Sequence, residues 1–162
     1  MKFFFAGICA VLIACAQALS QPQSLGPKVT LAGAGLSKQE INQVIEAIEQ
    51  SAYDTPESWE AELRVRKVSL GSPTAGSVPG LVVQGSKLLC GATGNCQTWV
   101  LRKVGEKWSS LIAGDQAPIA ESFEFGPGIS NGIKDLSIVA NSGAESASRV
   151  TYKFDGKLYR AK

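Results

Sequence analysis

From Glu62 to the end of the chain, short runs of β-branched and aromatic residues alternate with clusters of Gly, Pro, Asn and Ser. No other feature constrains the fold as strongly. Such short segments cannot carry helical periodicity, and turn-forming residues close each one after a few positions, as in an antiparallel β domain. The pattern predicts strands at about 62–70, 80–84, 97–104, 107–113, 121–125, 135–140, 148–154 and 157–160. "GSPTAGSVPG", "AGDQAP" and "GPGISNG" read as the longer loops. "EKW" and "DGK" read as tight hairpin turns, with Asp155-Gly156 as a two-residue turn pair.

One helix precedes the strands. Ser37 and Glu40 have the spacing of a capping box, in which each side chain satisfies an otherwise orphaned backbone N–H. Ile41, Val44, Ile45 and Ile48 then form one apolar stripe opposite Asn42, Gln43, Glu46 and Glu49. A helix over 37–52 follows, with a second, shorter helical start at "DTPESWE". The expected fold is therefore α+β: mostly antiparallel sheet, with one N-terminal amphipathic helix packed on it. "TWVLRKVGEKW" and "RVTYKFDGKLY" align without gaps at an offset of 51. Each follows an apolar strand, so two related three-stranded units are expected.

Residues 1–20 read as an export signal: Lys2, an apolar run from Phe3 to Ala14, then small residues. Two processing routes stay open. Ala18-Leu19-Ser20 suits cleavage before Gln21, whereas Leu12-Ile13-Ala14-Cys15 resembles a lipobox, which would leave a lipid on Cys15. Residues 21–35 read as a linker and 36–162 as a single domain. The expected location is periplasmic or secreted, or the outer membrane through a lipidated Cys15. No later segment has about 18 consecutive apolar residues, so a membrane contact is expected only through that lipid.

Of 16 basic and 14 acidic residues, one lysine lies within 1–20, so a net charge of +1 remains beyond the signal. These charges form no blocks, which argues against a nucleic-acid partner. The arginines of "LRVRK" alternate with Leu63 and Val65, as on the solvated face of a strand.

"LLCGATGNCQTWVL" is the most distinctive stretch. In an oxidising compartment Cys90 and Cys96 are expected to pair. Without histidine the chain lacks the usual ligands for structural zinc, and five residues between the thiols do not make the C-x-x-C of redox catalysis. Gly91, Gly94 and Asn95 suit the positive φ of a tight loop. Closing so small a ring contributes ~2 kcal/mol of chain entropy. A stapled turn is therefore expected, and Gly91, Ala92, Thr93, Gly94, Asn95, Gln97 and Trp99 are its candidate binding residues. The alternative for Trp99 is to fill the core beneath the loop. The connections 113–118 and 126–134 are candidates for the same contact surface.

Catalytic chemistry is poorly supplied. No Ser-His-Asp or Cys-His arrangement exists without histidine, and "LAGAGLS" has too few glycines for a dinucleotide fingerprint. Asp115, Glu121, Glu124, Asp135 and Asp155 remain as carboxylates for a two-acid hydrolase. No metal or other cofactor is expected.

"LLCGATGNCQTWVLRKVGEKW" and "NGIKDLSIVANSGAESASRVTYKFDGKLYR" together resemble small exported bacterial proteins of unassigned function. These pair a stapled Gly-rich turn with a closing "Y-x-F-D-G-K-x-Y" hairpin. The resemblance covers roughly 60–162; it implies an envelope β domain and carries over no catalytic residue. Asn131, Gly132 and Asp135 in "NGIKDLSIV" resemble FG-GAP or VCBS-type repeats, whose acid-rich loops bind calcium, though Lys134 stands among them. Periplasmic lysozyme inhibitors are similar in class. The function expected is a non-enzymatic binding module acting as a monomer on an envelope protein or cell-wall glycan; an envelope hydrolase is the alternative.

Overall fold

The computed structural model of the chain describes residues 28–72, 76–112, 117–141 and 147–162. Two antiparallel sheets stack face to face, and a helix lies on the far side of the first. Helix α1 (Lys38–Glu49) begins at the Ser37 cap, with both halves of the capping box formed. A single turn, α2 (Trp59–Glu62), is capped by the Ser58 side chain. The first sheet is the meander β1 (Leu63–Ser69), β2 (Pro79–Gly85), β3 (Cys96–Val104) and β4 (Lys107–Ser110). The short strand β5 (Ile119–Ala120) also pairs with the start of β3. The second sheet is the meander β6 (Ser122–Ser130), β7 (Ile133–Asn141), β8 (Ala147–Phe154) and β9 (Tyr159–Ala161).

Two cores explain the sequence texture. Ile41, Val44 and Ile48 of α1 pack with Leu63, Val65, Leu81, Val83, Trp99 and Leu101 from one face of the first sheet. Val82 and Val100, from its other face, pack with Phe123, Leu136, Ile138, Phe154 and Tyr159 of the second. Strands β2 and β3 are covered on both faces, so they read as continuous apolar runs. In the second sheet Glu124, Ser137 and Thr151 lie side by side on the outer face, and the strands alternate accordingly. Backbone bridges from Gly71 to Ile133 and from Ile112 to Tyr159 stitch the sheets together at their margins.

Several expectations change. Each sheet holds a four-stranded meander where three-stranded units were expected, since β1 and β6 each add a leading strand. The two aligned hairpins do share their register: Lys103 faces Trp108 as Phe154 faces Tyr159. Gly105 and Gly156 both take positive φ. "GPGISNG" is not a loop. Strand β6 runs through it to Ser130 with a bulge between Phe125 and Ile129. Asn131 (φ 47°) and Gly132 (φ 80°) then make a two-residue turn, the Asn-Gly signal for a hairpin. A Cβ at Gly128 would stand 2.5 Å from Asp135 Oδ2, so a side chain there would displace the Asp135 carboxylate. The Asp155 turn is a four-residue connection, with Asp155 N–H bonded to the Leu158 carbonyl.

The arginines of β1 are not simply solvated. Arg66 lies 5.9 Å over the Phe123 ring, and Arg102 of β3 lies 5.3 Å over Phe154. Each guanidinium lies over an aromatic ring of the opposing sheet, where the cation is attracted by the ring quadrupole.

Candidate functional site

Strand β2 ends at Gly85 because the chain must turn back into β3. A 3-10 turn over Lys87–Leu89 starts that return. The Cys90–Cys96 disulfide closes it, and the two cysteines face each other as a β-bridge. Within the ring, Gly91 N–H donates to the Asn95 carbonyl at 2.8 Å and Gly94 N–H to the Gly91 carbonyl at 3.0 Å. Gly94 takes φ 81°, a conformation that a side chain would strain.

Asn95 does something the sequence did not announce. Its Nδ2 donates to Thr93 Oγ1 at 2.8 Å and to the Asn141 carbonyl at 2.6 Å, and its Oδ1 accepts the Asn141 N–H at 2.7 Å. The amide copies a backbone peptide and docks the ring onto the end of β7. Buried accordingly, Asn95 is a clamp between the two sheets and presents no surface.

Two further candidate residues lie inside the molecule. Trp99 is 0% exposed, and its Nε1 donates to Ser51 Oγ at 2.9 Å. Gln97 is also buried, and its Oε1 accepts the Tyr53 N–H at 3.2 Å. The two side chains face the helix layer and hold the segment that follows α1. The exposed part of the loop is therefore Gly91, Ala92, Thr93 and Gly94.

Three large exposed apolar side chains that sequence reasoning missed lie on segments adjoining the ring. Leu88 is 65% exposed, Tyr53 52% and Ile119 44%. Leu88 precedes Cys90 by two residues, Tyr53 hangs on Gln97, and Ile119 pairs with Gln97 across β5–β3. Pro118 also belongs here, its carbonyl accepting the Thr98 N–H. Residues 113–116 of that connection lie outside the described residues. The 126–134 connection does not join this surface. It lies at the start of β7 and the ring at its end, about 25 Å apart by strand rise.

Among the described residues no three acids or thiols gather where they could hold a metal ion. Glu124 pairs with Arg149 at 2.8 Å. Asp135 accepts from Ser130 Oγ at 2.6 Å and pairs with Lys153 at 3.7 Å. Asn131 donates to the Phe154 carbonyl. Asp155 accepts the N–H groups of Lys157 and Leu158, each at 2.8 Å, and pairs with Arg160. Glu121 is exposed, and Asp115, like Cys15, lies outside the described residues.

The pairing has a pH consequence. The Leu158 N–H, then Arg160 and the Lys157 N–H, hold Asp155 well below its ordinary value of 3.8. The Arg149 hydrogen bond holds Glu124 below 4.5. A carboxyl with a lowered folded-state pKa stabilises the fold above its unfolded value, and that stabilisation is lost as pH falls through the folded value. With no histidine present, urea midpoints are expected to stay level from neutrality down to about pH 5 and to fall below about 4.5. Asp155→Asn should lower the neutral plateau and flatten part of the acid limb. An unchanged acid limb would show that Asp155 carries none of it.

Neither a family model, a curated protein nor a solved structure matches the chain. Among the described residues no helix is long and apolar enough to cross a membrane.

Proposed function

We propose that the protein is an exported, non-enzymatic binding module of the bacterial envelope. Its contact surface is the Gly91–Gly94 tip with Tyr53, Leu88 and Ile119 on the adjoining segments. One observation carries the reading: a loop held by a disulfide, by its own backbone bonds and by the Asn95 clamp adjoins segments that carry three exposed large apolar side chains. A tip fixed in advance loses little entropy on docking, and apolar side chains beside open backbone groups suit a protein partner. Export is supported by the signal-like residues 1–20 and by a disulfide that persists in an oxidising compartment.

A two-carboxylate hydrolase would need one acid kept protonated near neutrality. Glu124 and Asp155 are shifted the opposite way by their cationic partners.

The test is retention of envelope proteins, lysozyme and purified wall polymer on the immobilised protein, compared with a Leu88→Ser/Tyr53→Ser variant. Both side chains are exposed, so the variant is expected to keep its melting temperature. At least a tenfold loss of a protein partner is expected. Equal retention by both forms would remove this surface from the function, and capture of wall polymer alone would replace the protein ligand with a glycan.

A further inference from the structure

At the outer edge of the first sheet, Val29 pairs with Val65 through N–H···O bonds of 3.1 and 2.8 Å. That antiparallel bridge brings Lys28, one residue before Val29, to the neighbourhood of Arg66, one residue after Val65, where the two charges interact. Like charges brought together on neighbouring strands oppose folding. Elsewhere the protein joins its charges in opposite pairs such as Lys103–Glu40 and Arg149–Glu124. Among the described residues, neither Lys28 nor Arg66 has a carboxylate within 4.0 Å, and the chain before Lys28 contains no Asp or Glu. Arg64, two residues back on the same face, is engaged by the carbonyls of Ala61 and Leu63.

The pair is also shaped for a ligand. The Arg66 guanidinium lies 5.9 Å over the Phe123 ring, and its Nε is buried with no acceptor among the described residues. Burial and, after it, the Arg66 charge hold the Lys28 ammonium below its usual value. One anionic group would relieve the repulsion and take hydrogen bonds from both cations.

We infer that Lys28 and Arg66, with the Phe123 ring as floor, form a site for an oxyanion of the carboxylate or phosphate type. The guanidinium supplies a planar fork of donors and the ammonium a point charge. The site lies on the β1–β6 side of the sandwich and does not rest on the binding role of the stapled loop.

The experiment is an amide NMR titration of the protein at low ionic strength with inorganic phosphate, with acetate, and with chloride at matched ionic strength. Saturating shifts are expected at Lys28, Arg66 and Phe123 with phosphate or acetate, and the anion that saturates names the ligand class. Lys28→Gln should weaken the affinity at least tenfold while leaving the melting temperature without added anion equal or higher, because a like-charge neighbour is gone. Arg66→Gln should weaken binding as strongly. Shifts that fail to saturate, that chloride reproduces, or that survive Lys28→Gln undiminished would overturn the site.

Discussion

Replacing Trp99 with alanine is expected to destabilise the protein by roughly 3–5 kcal/mol, the usual cost of emptying a fully buried aromatic site. For a domain of this size that lowers the melting temperature by about 10–25 °C. Trp99 stands in β3, a strand covered on both sides, and packs in one core with Ile48 of α1 and Leu63 and Val83 of the neighbouring strands. Its indole N–H also anchors Ser51, whose carbonyl accepts the Ala117 N–H. The cavity would therefore loosen three segments together: the end of α1, the start of β3 and the approach to β5. Trp99→Phe keeps most of the volume and loses the hydrogen bond, so about 1 kcal/mol is expected from that term. Urea unfolding of both variants checks this. An unmoved midpoint for Trp99→Ala, with reduced partner binding, would return Trp99 to the contact surface.

Asn95→Ala is expected to cost about 1–3 kcal/mol, more than a loop residue of its size ordinarily would. The change deletes the acceptor for the Asn141 N–H and the donor to the Asn141 carbonyl, both in the seam between the sheets. Hydrogen exchange at the Asn141 amide should accelerate by at least tenfold, while the amides at the middle of β3 change only with global stability. Thr93→Ala, at the exposed tip, should stay within about 0.5 kcal/mol of the parent. Removing the disulfide as well should cost less than the separate effects combined, because an unstapled ring no longer presents Asn95 to β7. If Asn95→Ala left both stability and exchange at Asn141 unchanged, the ring would be held by its disulfide alone. The contact surface would then be far less ordered than proposed.

Much of the fold was legible. The strand rhythm, the Ser37–Glu40 capping box and the register shared by the two glycine-turn hairpins are local properties, expressed within a few residues of where they are read. The Asn131-Gly132 turn was equally local, and its signal was hidden by the glycines just before it, which belong to the bulge opposite Asp135. For Trp99 the sequence left two readings open, contact residue or core, and the structure places it in the core. The group of Tyr53, Leu88 and Ile119 on segments adjoining the ring was not legible, since its members are separated by up to 66 positions in the chain.

The division follows the range of the forces involved. By itself the sequence determined what depends on neighbours along the chain: where the backbone can turn, where a helix is capped, and which side chains alternate. It also brought Cys90 and Cys96 close enough to pair, through a short glycine-rich ring. Only the tertiary structure decided which face meets which. Asn95 could have reached water or a ligand, and it became a clamp because stacking the sheets brought the Asn141 peptide beside it, 46 residues away. Lys28 came to lie against Arg66, and Arg66 against Phe123, for the same reason. A polar side chain's role is set by the partner that the fold delivers within about 3 Å of it, and no local pattern encodes that partner.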